Sequence, residues 1–590
     1  MLTGKSPTPF RHLDHIADLC VVGGGMAGLC AAVTAARRGA KVVLMQDRPV
    51  LGGNSSSECR MHVCGADRSG SLPHLRETGL LEEIRLENMF RNPLKNYSLW
   101  DLVLHETARR ESNLTLLLNC TCVDAALKGS AIDSVEGWQL TTQTRHTVRA
   151  RYYADCSGDS VLAPLSGAAW RMGREARSEF GESIAPEKSD SKTMGMTCLF
   201  KARQHPAPQT FEAPAWARKF KSCDDLPYGA EAHGFWEFGY WWVELGGEQD
   251  ALHDTELLRD ELHKIVFGLW DHVKNSGVHP DSANWALDWV QFLPAKRESR
   301  RYEGDHMITQ LDIEAGGPFD DTVAFGGWSM DDHHPAGFDA CKLGKKATIF
   351  HPAPAPYGIP YRALYSKNVD NLFFAGRNIS CTHAAMSSTR VMGTCAVLGQ
   401  AVGTAAALAA STGLSPREVG QSKIKELQKW LLEDDCFLPG LKRDYGALTR
   451  NAALTASSGN PEPVRDGITR QIKDDPHAWS AAPGGWVAYA FKKRSRVREA
   501  ELILDTGMER QIGMIFEEMG KQNNFIPPAI PKAFRLEGRT GEEWIPLARI
   551  TDNRQRQVRI PVNRDLDGLR FTLEETRGAP ESRVYAFTVS

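Results

Sequence analysis

"CVVGGGMAGLCAAVTAARRGAKVVLMQDRPVLGGNSSSE", from Cys20 to Glu58, decides the fold class. Asp18 to Val22 is a short apolar strand, and Gly23, Gly24 and Gly25 follow it directly. An Ala-rich helical stretch beginning at Met26 then stops at Gly39, a residue suited to ending a helix. Lys41 to Met45 makes the next strand. The order is β-turn-α-β, with G-x-G-x-x-G at Gly23, Gly25 and Gly28. The first glycine permits the tight turn, the second lets the backbone approach a pyrophosphate, and the third lets helix and strand pack closely. Met26 and Ala27 begin the helix, where free N–H groups and the dipole favour an anion. At the end of the second strand, where a ribose is gripped, stands Gln46, whose amide accepts and donates without charge. Asp47 is the fallback ligand, with Arg48 beside it.

At 590 residues the chain exceeds what one hydrophobic core serves, so two or three domains are expected. Apolar residues make up 42% and charged residues 24%, with a net charge of -3 and Lys and Arg scattered, so no footprint for nucleic acid or an anionic membrane is expected. No run reads as the roughly 18 apolar residues of a membrane helix. The start, "MLTGKSPTPFRHLDHIADL", shows no basic region, apolar core and cleavage site in succession, and a cytoplasmic location is expected. Thirteen cysteines include Cys120 and Cys122, one residue short of C-x-x-C. They read as buried reduced thiols rather than a disulfide framework or a zinc site, and no metal is expected.

Beyond the first motif lies "RPVLGGNSSSECRMHVCGA". Gly52 and Gly53 open another flexible turn, and Asn54, Ser55, Ser56 and Ser57 add small hydrogen-bonding groups. An NAD fold needs no such second loop, whereas a longer dinucleotide does. On these residues the chain resembles the FAD-dependent oxidoreductase family whose members carry "GGNSSSE", within the wider glutathione-reductase and fumarate-reductase flavoprotein class. The resemblance implies an FAD held by three separated segments. "RYYADCSGDSVLA" (Arg151 to Ala163) resembles the second, with Asp155, Ser157, Gly158 and Asp159 at its turn and Val123, in "LLLNCTCVDA", on the strand that meets the adenine; a Ser-Gly-Asp turn is also an ordinary loop. "NVDNLFFAGRNISCTHAAMSSTRVMGTCAVLGQAVGTAAALAA" (Asn368 to Ala410) resembles the third. Its strand ends at Gly376, followed by Arg377 where many flavoproteins place an acid for the ribitol; an Arg could instead contact the pyrophosphate. The helix start would aim N–H groups of Gly393 and Thr394 at the flavin N1–C2=O edge, or be simply a small-residue helix packed on the sheet. No second G-x-G-x-x-G follows a strand, so an NAD(P)H domain is not expected and the electron acceptor stays open.

Between the second and third segments, an aromatic-rich insert reads as a substrate cap. In "HGFWEFGYWWVELGGE" (His233 to Glu248), Trp236, Tyr240, Trp241 and Trp242 form either a core face or a stacking platform for a sugar. "KRESRRYEGDH" places Arg297, Arg300 and Arg301 around Glu298, and "MDDHHP" puts His333 beside Asp331 and Asp332; both clusters read equally as solvated charge or as family strings facing the flavin. Ser415 as N-cap and Pro416 at the first position start a helix over "SPREVGQSKIKELQKWLLEDD". Short alternating runs then indicate a β-sandwich, in which "ASS", "VRDGITR" and "HAWSA" resemble the discoidin-like galactose-binding fold. Carbohydrate binding, packing and homo-oligomer formation are all open to it.

The fold class expected is α/β: a Rossmann-like FAD-binding domain of glutathione-reductase type over residues 1–163 and 351–412, an α+β substrate cap over 164–350, a helical linker over 413–450 and a β-sandwich over 451–590. A flavin moves a hydride between N5 and a substrate carbon, leaving the protein to position the substrate and handle a proton. His383 is the expected acid/base because imidazole titrates near neutral pH. Arg390, Arg300 and Arg297 are expected to anchor an anionic or hydroxyl-rich substrate, Arg390 also to contact the FAD, with His333 in the same catalytic group, and His62 in reach of the flavin ring, even for covalent attachment. The function read is an FAD-dependent oxidoreductase acting on a sugar or sugar acid. Reduction of an unsaturated carboxylic acid and a non-catalytic carbohydrate-binding flavoprotein are the alternatives.

Overall fold

The computed structural model describes residues 10–229, 234, 236–514 and 526–590; His233 and Phe235 of the aromatic stretch lie outside them. The first strand, β1 (Arg11–Val22), is longer than the apolar run, because its half-exposed N-terminal part pairs in parallel along β6 (Thr144–Asp155). Helix α1 (Met26–Arg37) and β2 (Val42–Met45) follow, with Gly39 left-handed after the helix. The sheet runs β3 (Leu114–Leu117), β2, β1, β6 in parallel, and the Leu372–Phe374 strand lies parallel on the far edge of β6. Antiparallel β5 (Ala131–Gln139) and β4 (Cys120–Lys128) extend that edge. Val22 stands opposite Met45 and Asp155, and Asp155 opposite Phe374. Four parallel strands therefore end at one level, where open α/β sheets bind their ligands.

The Ala and Gly content of α1 and of the Met392–Thr412 helix sets how these helices meet. A Cβ on Gly399 would lie 2.0 Å from Ala27 O and one on Gly403 2.2 Å from Ala31 O, so the backbones touch where side chains are smallest. Contrary to the composition reading, this second helix is long and apolar enough to cross a membrane, yet 94% of its apolar window is buried inside the protein, as a core helix is.

The cap packs Phe200, Trp236, Tyr240, Trp242 and Trp270 into a separate core against the Thr255–Asn275 helix. The core reading thus holds for Trp236, Tyr240 and Trp242, while Trp241 alone of the four faces the cavity described below. After Ser415, whose hydroxyl and Glu418 cap each other, the linker breaks at Lys423 into the Pro416–Ser422 and Ile424–Glu433 helices rather than running on as one. The C-terminal strands pair antiparallel as a sandwich around Trp479, Leu502, Phe534, Phe571 and Phe587. Register shifts in the long Trp486–Leu504 strand, between Ala490 and Ser495 and between Val497 and Glu499, bend the sheet over that core. Buried ions fasten the sandwich to the first domain: Arg76 reaches Glu82 and the carbonyl of Thr506, Arg470 reaches the carbonyls of His74 and Arg76, and Arg556 pairs with Asp435. All thirteen cysteines are free thiols, eleven of them buried.

Candidate active site

One elongated cavity of about 410 Å³ runs along the C-terminal ends of the parallel strands. Its wall includes Gly23, Gly25, Met26, Ala27, Gly52, Gly53 and Asn54 from the first two loops, Ser157, Gly158 and Asp159 from the turn after β6, and Gly376, Arg377 and Arg390 from the closing segment. Segments hundreds of residues apart in sequence thus share one trough. The turns touch: a Cβ on Gly23 would meet Ser157 N and Cα at 2.5 Å, and Gly53 sits against Gly25. A Cβ on Gly25, by contrast, would meet nothing nearer than Gly53 Cα at 4.0 Å, so its open side faces the trough. Helix α1 begins there with no side-chain cap and no acid in its first turn, leaving its first N–H groups to the cavity. Residues so placed fit a dinucleotide whose pyrophosphate rests on the start of α1.

The sequence-predicted contacts fall differently around the trough. Gln46 lines the trough and also pins the glycine loop: Oε1 accepts from Gly24 N at 2.7 Å and Nε2 donates to Val50 O at 3.0 Å, each atom keeping one further hydrogen-bonding site. Asp47 lines the same end, with its carboxyl raised by burial, and Arg48 beside it pairs with Glu58 at 2.7 Å. Val123 is 46% exposed and off the cavity; a register shift after Cys122 turns it outward, and Cys120, Thr121 and Cys122 form the wall instead. Ser55 and Ser57 lie behind the wall, the Ser55 hydroxyl donating to Gly52 O and Ser57 N to Asp101. Gly28 is also behind it, where a Cβ would meet Gly23 O at 1.8 Å, the close packing expected of the third glycine. Gly393 N–H donates to Cys64 O at 2.7 Å and the residue packs on Glu77, while Thr394 is buried; Val391, Met392 and Cys395 face the cavity from that turn.

Arg377 is tied to the turn after β6, donating to Gly158 O at 2.9 Å and pairing with Asp159. Burial alone would raise the Asp159 carboxyl, but Arg377 and Lys296, the latter at 3.0 Å, outweigh it and hold the group below its usual range. Asp159 thus brings a carboxylate to the trough wall beside Arg377. Asp155, fully buried, orders that turn by accepting from Ser157 N and Oγ, Leu162 N and Tyr302 OH.

At the far end, Met61, His62, Cys64, Thr197, Trp241 and Arg297 meet Arg390 and Met392. Arg297 donates to Thr197 Oγ1 at 2.6 Å and Trp241 O at 2.8 Å and lies 3.3 Å from Glu244. Arg390 reaches Asp331 at 3.3 Å, and its Nε is buried with no partner among the described residues. His333 does not line the cavity; it is buried between Glu244 at 2.6 Å and Asp331 at 3.3 Å, behind both arginines. Burial would raise Asp331, but His333 and Arg390 overcome that and bring it to about 2. Arg300 is off the wall too, donating to Asp159 O and lying over the Trp170 ring.

The largest correction concerns His383. Its Nδ1 is 2.8 Å from Glu298 and its Nε2 3.1 Å from Asp332, and it is buried away from the cavity. Burial disfavours the imidazolium, yet the two carboxylates outweigh it and raise His383 to about 10, so it does not titrate near neutral pH. The imidazole that does line the cavity is His62, which burial, aided by Lys201, pushes down to about 4. The sequence reading also missed Leu293, Pro294 and Ala295, which bring the cap over the trough directly before the quoted charged string; that adjacency was their one signal.

A strand-end trough of this length, with a dinucleotide turn at one end and a basic, aromatic chamber under a cap at the other, defines a flavoprotein oxidoreductase. The chain belongs to the FAD dependent oxidoreductase family, whose model matches residues 18–431, and FAD is its cofactor. No curated protein sequence matches the chain. Among solved structures, the chain is similar to the family 32 carbohydrate-binding module of Streptococcus pneumoniae EndoD (15% identity, TM-score 0.20, covering 24% of this chain and 97% of that one). It is similar to chitosan-binding module 1 from a chitosanase/glucanase of Paenibacillus sp. IK-5 (16% identity, TM-score 0.18, 25% and 99%). A geranylgeranyl bacteriochlorophyll reductase-like protein of Thermoplasma acidophilum matches at 12% identity and TM-score 0.32, over 71% of this chain and 84% of that one. At these TM-scores the likenesses say nothing of substrate.

Proposed function

We propose that the enzyme transfers a hydride between FAD and a carbon of a small sugar acid. The observation that carries this is the pair Arg297 and Arg390, which line the same end of the trough as Trp241 and are each braced from behind, by Glu244 and Asp331. Guanidinium groups held this way recognise a carboxylate by paired charge-assisted hydrogen bonds, and the Trp241 ring offers a face on which a sugar ring stacks. When bound, FAD supplies the two-electron chemistry. The chain's own residues hold the substrate carboxylate at Arg390 and Arg297, exclude water with Trp241 and the 293–297 segment, and place the neutral His62 imidazole at the same wall, where a ring nitrogen accepts a hydrogen bond from the substrate hydroxyl.

Anaerobic mixing with sugars, sugar acids and saturated dicarboxylates, following loss of flavin absorbance, tests the reading. A sugar acid is expected to bleach the flavin fastest. Arg390→Met should keep its FAD and weaken that substrate's apparent binding roughly ten- to hundredfold, the loss of one charge-assisted bond. Fastest bleaching by a neutral sugar or by a dicarboxylate, or loss of FAD from the variant, would overturn it.

A further inference from the structure

The cap holds a side-chain cluster that the oxidoreductase chemistry does not use. Cys223 opens a single helical turn, Cys223–Asp225, fixed by a capping box from Ser222. His272 lies in the last turn of the Thr255–Asn275 helix, and His279 in the connection just beyond it. Cys223 Sγ is 3.4 Å from His272 Nε2 and 3.9 Å from His279 Nε2, and the three atoms all lie within 4.8 Å of one another. Around a tetrahedral zinc ion, a thiolate and an imidazole nitrogen sit about 3.6 Å apart, as the Zn–S and Zn–N bond lengths require. The spacing here brackets that value.

The orientation of one ring adds an independent observation. His272 Nδ1 faces Phe220 O at 3.4 Å, a carbonyl that can only accept. In the tautomer that donates to this carbonyl, the lone pair sits on Nε2, the nitrogen turned toward Cys223, as a metal needs. His272 is buried while Cys223 and His279 are half-buried, which gives the cluster both a fixed wall and an approach from solvent. The Trp236 ring stands edge-on to His279, with centroids 6.3 Å apart, and screens another side.

We propose that Cys223, His272 and His279 bind a zinc-class divalent cation, and that the metal ties three segments of the cap together. One sulfur and two imidazoles suit a borderline-soft ion such as Zn²⁺ rather than Mg²⁺ or Ca²⁺. No contiguous motif announces the site, because Cys223 and His272 are 49 positions apart and meet only when the helix packs on the loop.

The test uses the full-length, FAD-loaded protein, stripped of metal with a chelator and titrated with Co²⁺, read as a difference spectrum against the cobalt-free enzyme. A saturable signal at one Co²⁺ per chain is expected, with a thiolate-to-metal band and tetrahedral bands that Zn²⁺ displaces. Cys223→Ser should abolish the thiolate band with flavin content unchanged, and His279→Gln should weaken Co²⁺ binding at least about tenfold. Should Cys223→Ser fail to fold, the affinity of His279→Gln carries the test. No saturable Co²⁺ binding by the unsubstituted protein, an undiminished thiolate band in Cys223→Ser, or an unchanged affinity in His279→Gln would overturn the proposal, leaving the contacts as S–H···N hydrogen bonds.

Discussion

Glu298 and Asp332 grip both ring nitrogens of His383, and the consequence is a pH-dependent stability rather than a catalytic proton. The folded-state value, about 10, lies above the ordinary imidazole value of about 6.5. Stabilisation by the charged ring is therefore fully present below about 6.5 and is lost as pH rises through about 10. Thermal unfolding midpoints should fall across that window, and His383→Gln should flatten the fall; an identical slope in the variant would show that the ring is not charged in the folded state. Nothing in "SCTHAAMSSTR" could reveal this, since Glu298 and Asp332 come from other parts of the chain. Gln46 teaches the same lesson: its position at a strand end was legible, but its bonds to Gly24 and Val50 were not.

Among elements, the contact between α1 and the Met392–Thr412 helix governs the trough, because α1 presents the first loop and the second helix carries Met392 and Cys395 at the other end. Gly399→Val would force a side chain against Ala27 O, 2.0 Å from the new Cβ, and the helices must separate. A loss of about 1–3 kcal/mol or more is expected, with weakened FAD retention, read from the denaturant midpoint and the flavin spectrum. A wild-type midpoint would mean that the helices are not so close. Element identities were readable where a local pattern repeats: the glycine turn, the Ala-rich helices and the helix start at Ser415 and Pro416. Element ends that depend on distant partners were not. β1 starts at Arg11 because β6 is there to pair with it, and Val123 turns outward because β4 shifts register on β5.

For the molecule as a whole, the β-sandwich and the FAD domain are joined by buried charge. Arg76 and Glu82 are each 1% exposed, and Arg76 also spans to Thr506, Gly507 and Arg510. Arg76→Ala would strand Glu82 without its partner, at a cost of about 3–5 kcal/mol. Calorimetry should show a lowered midpoint, or a first transition in which the sandwich melts separately; a wild-type trace would argue that the junction contributes nothing. The convergence of the Cys20 loop, the turn after β6 and the closing segment on one trough is the claim on which the whole account stands. Flavin content of the purified protein measures it most directly. Wild-type enzyme should carry stoichiometric FAD, while Gly25→Val, whose side chain enters the trough without touching the fold, should be colourless with an unchanged circular dichroism spectrum. Full FAD occupancy in a folded Gly25→Val protein would contradict it.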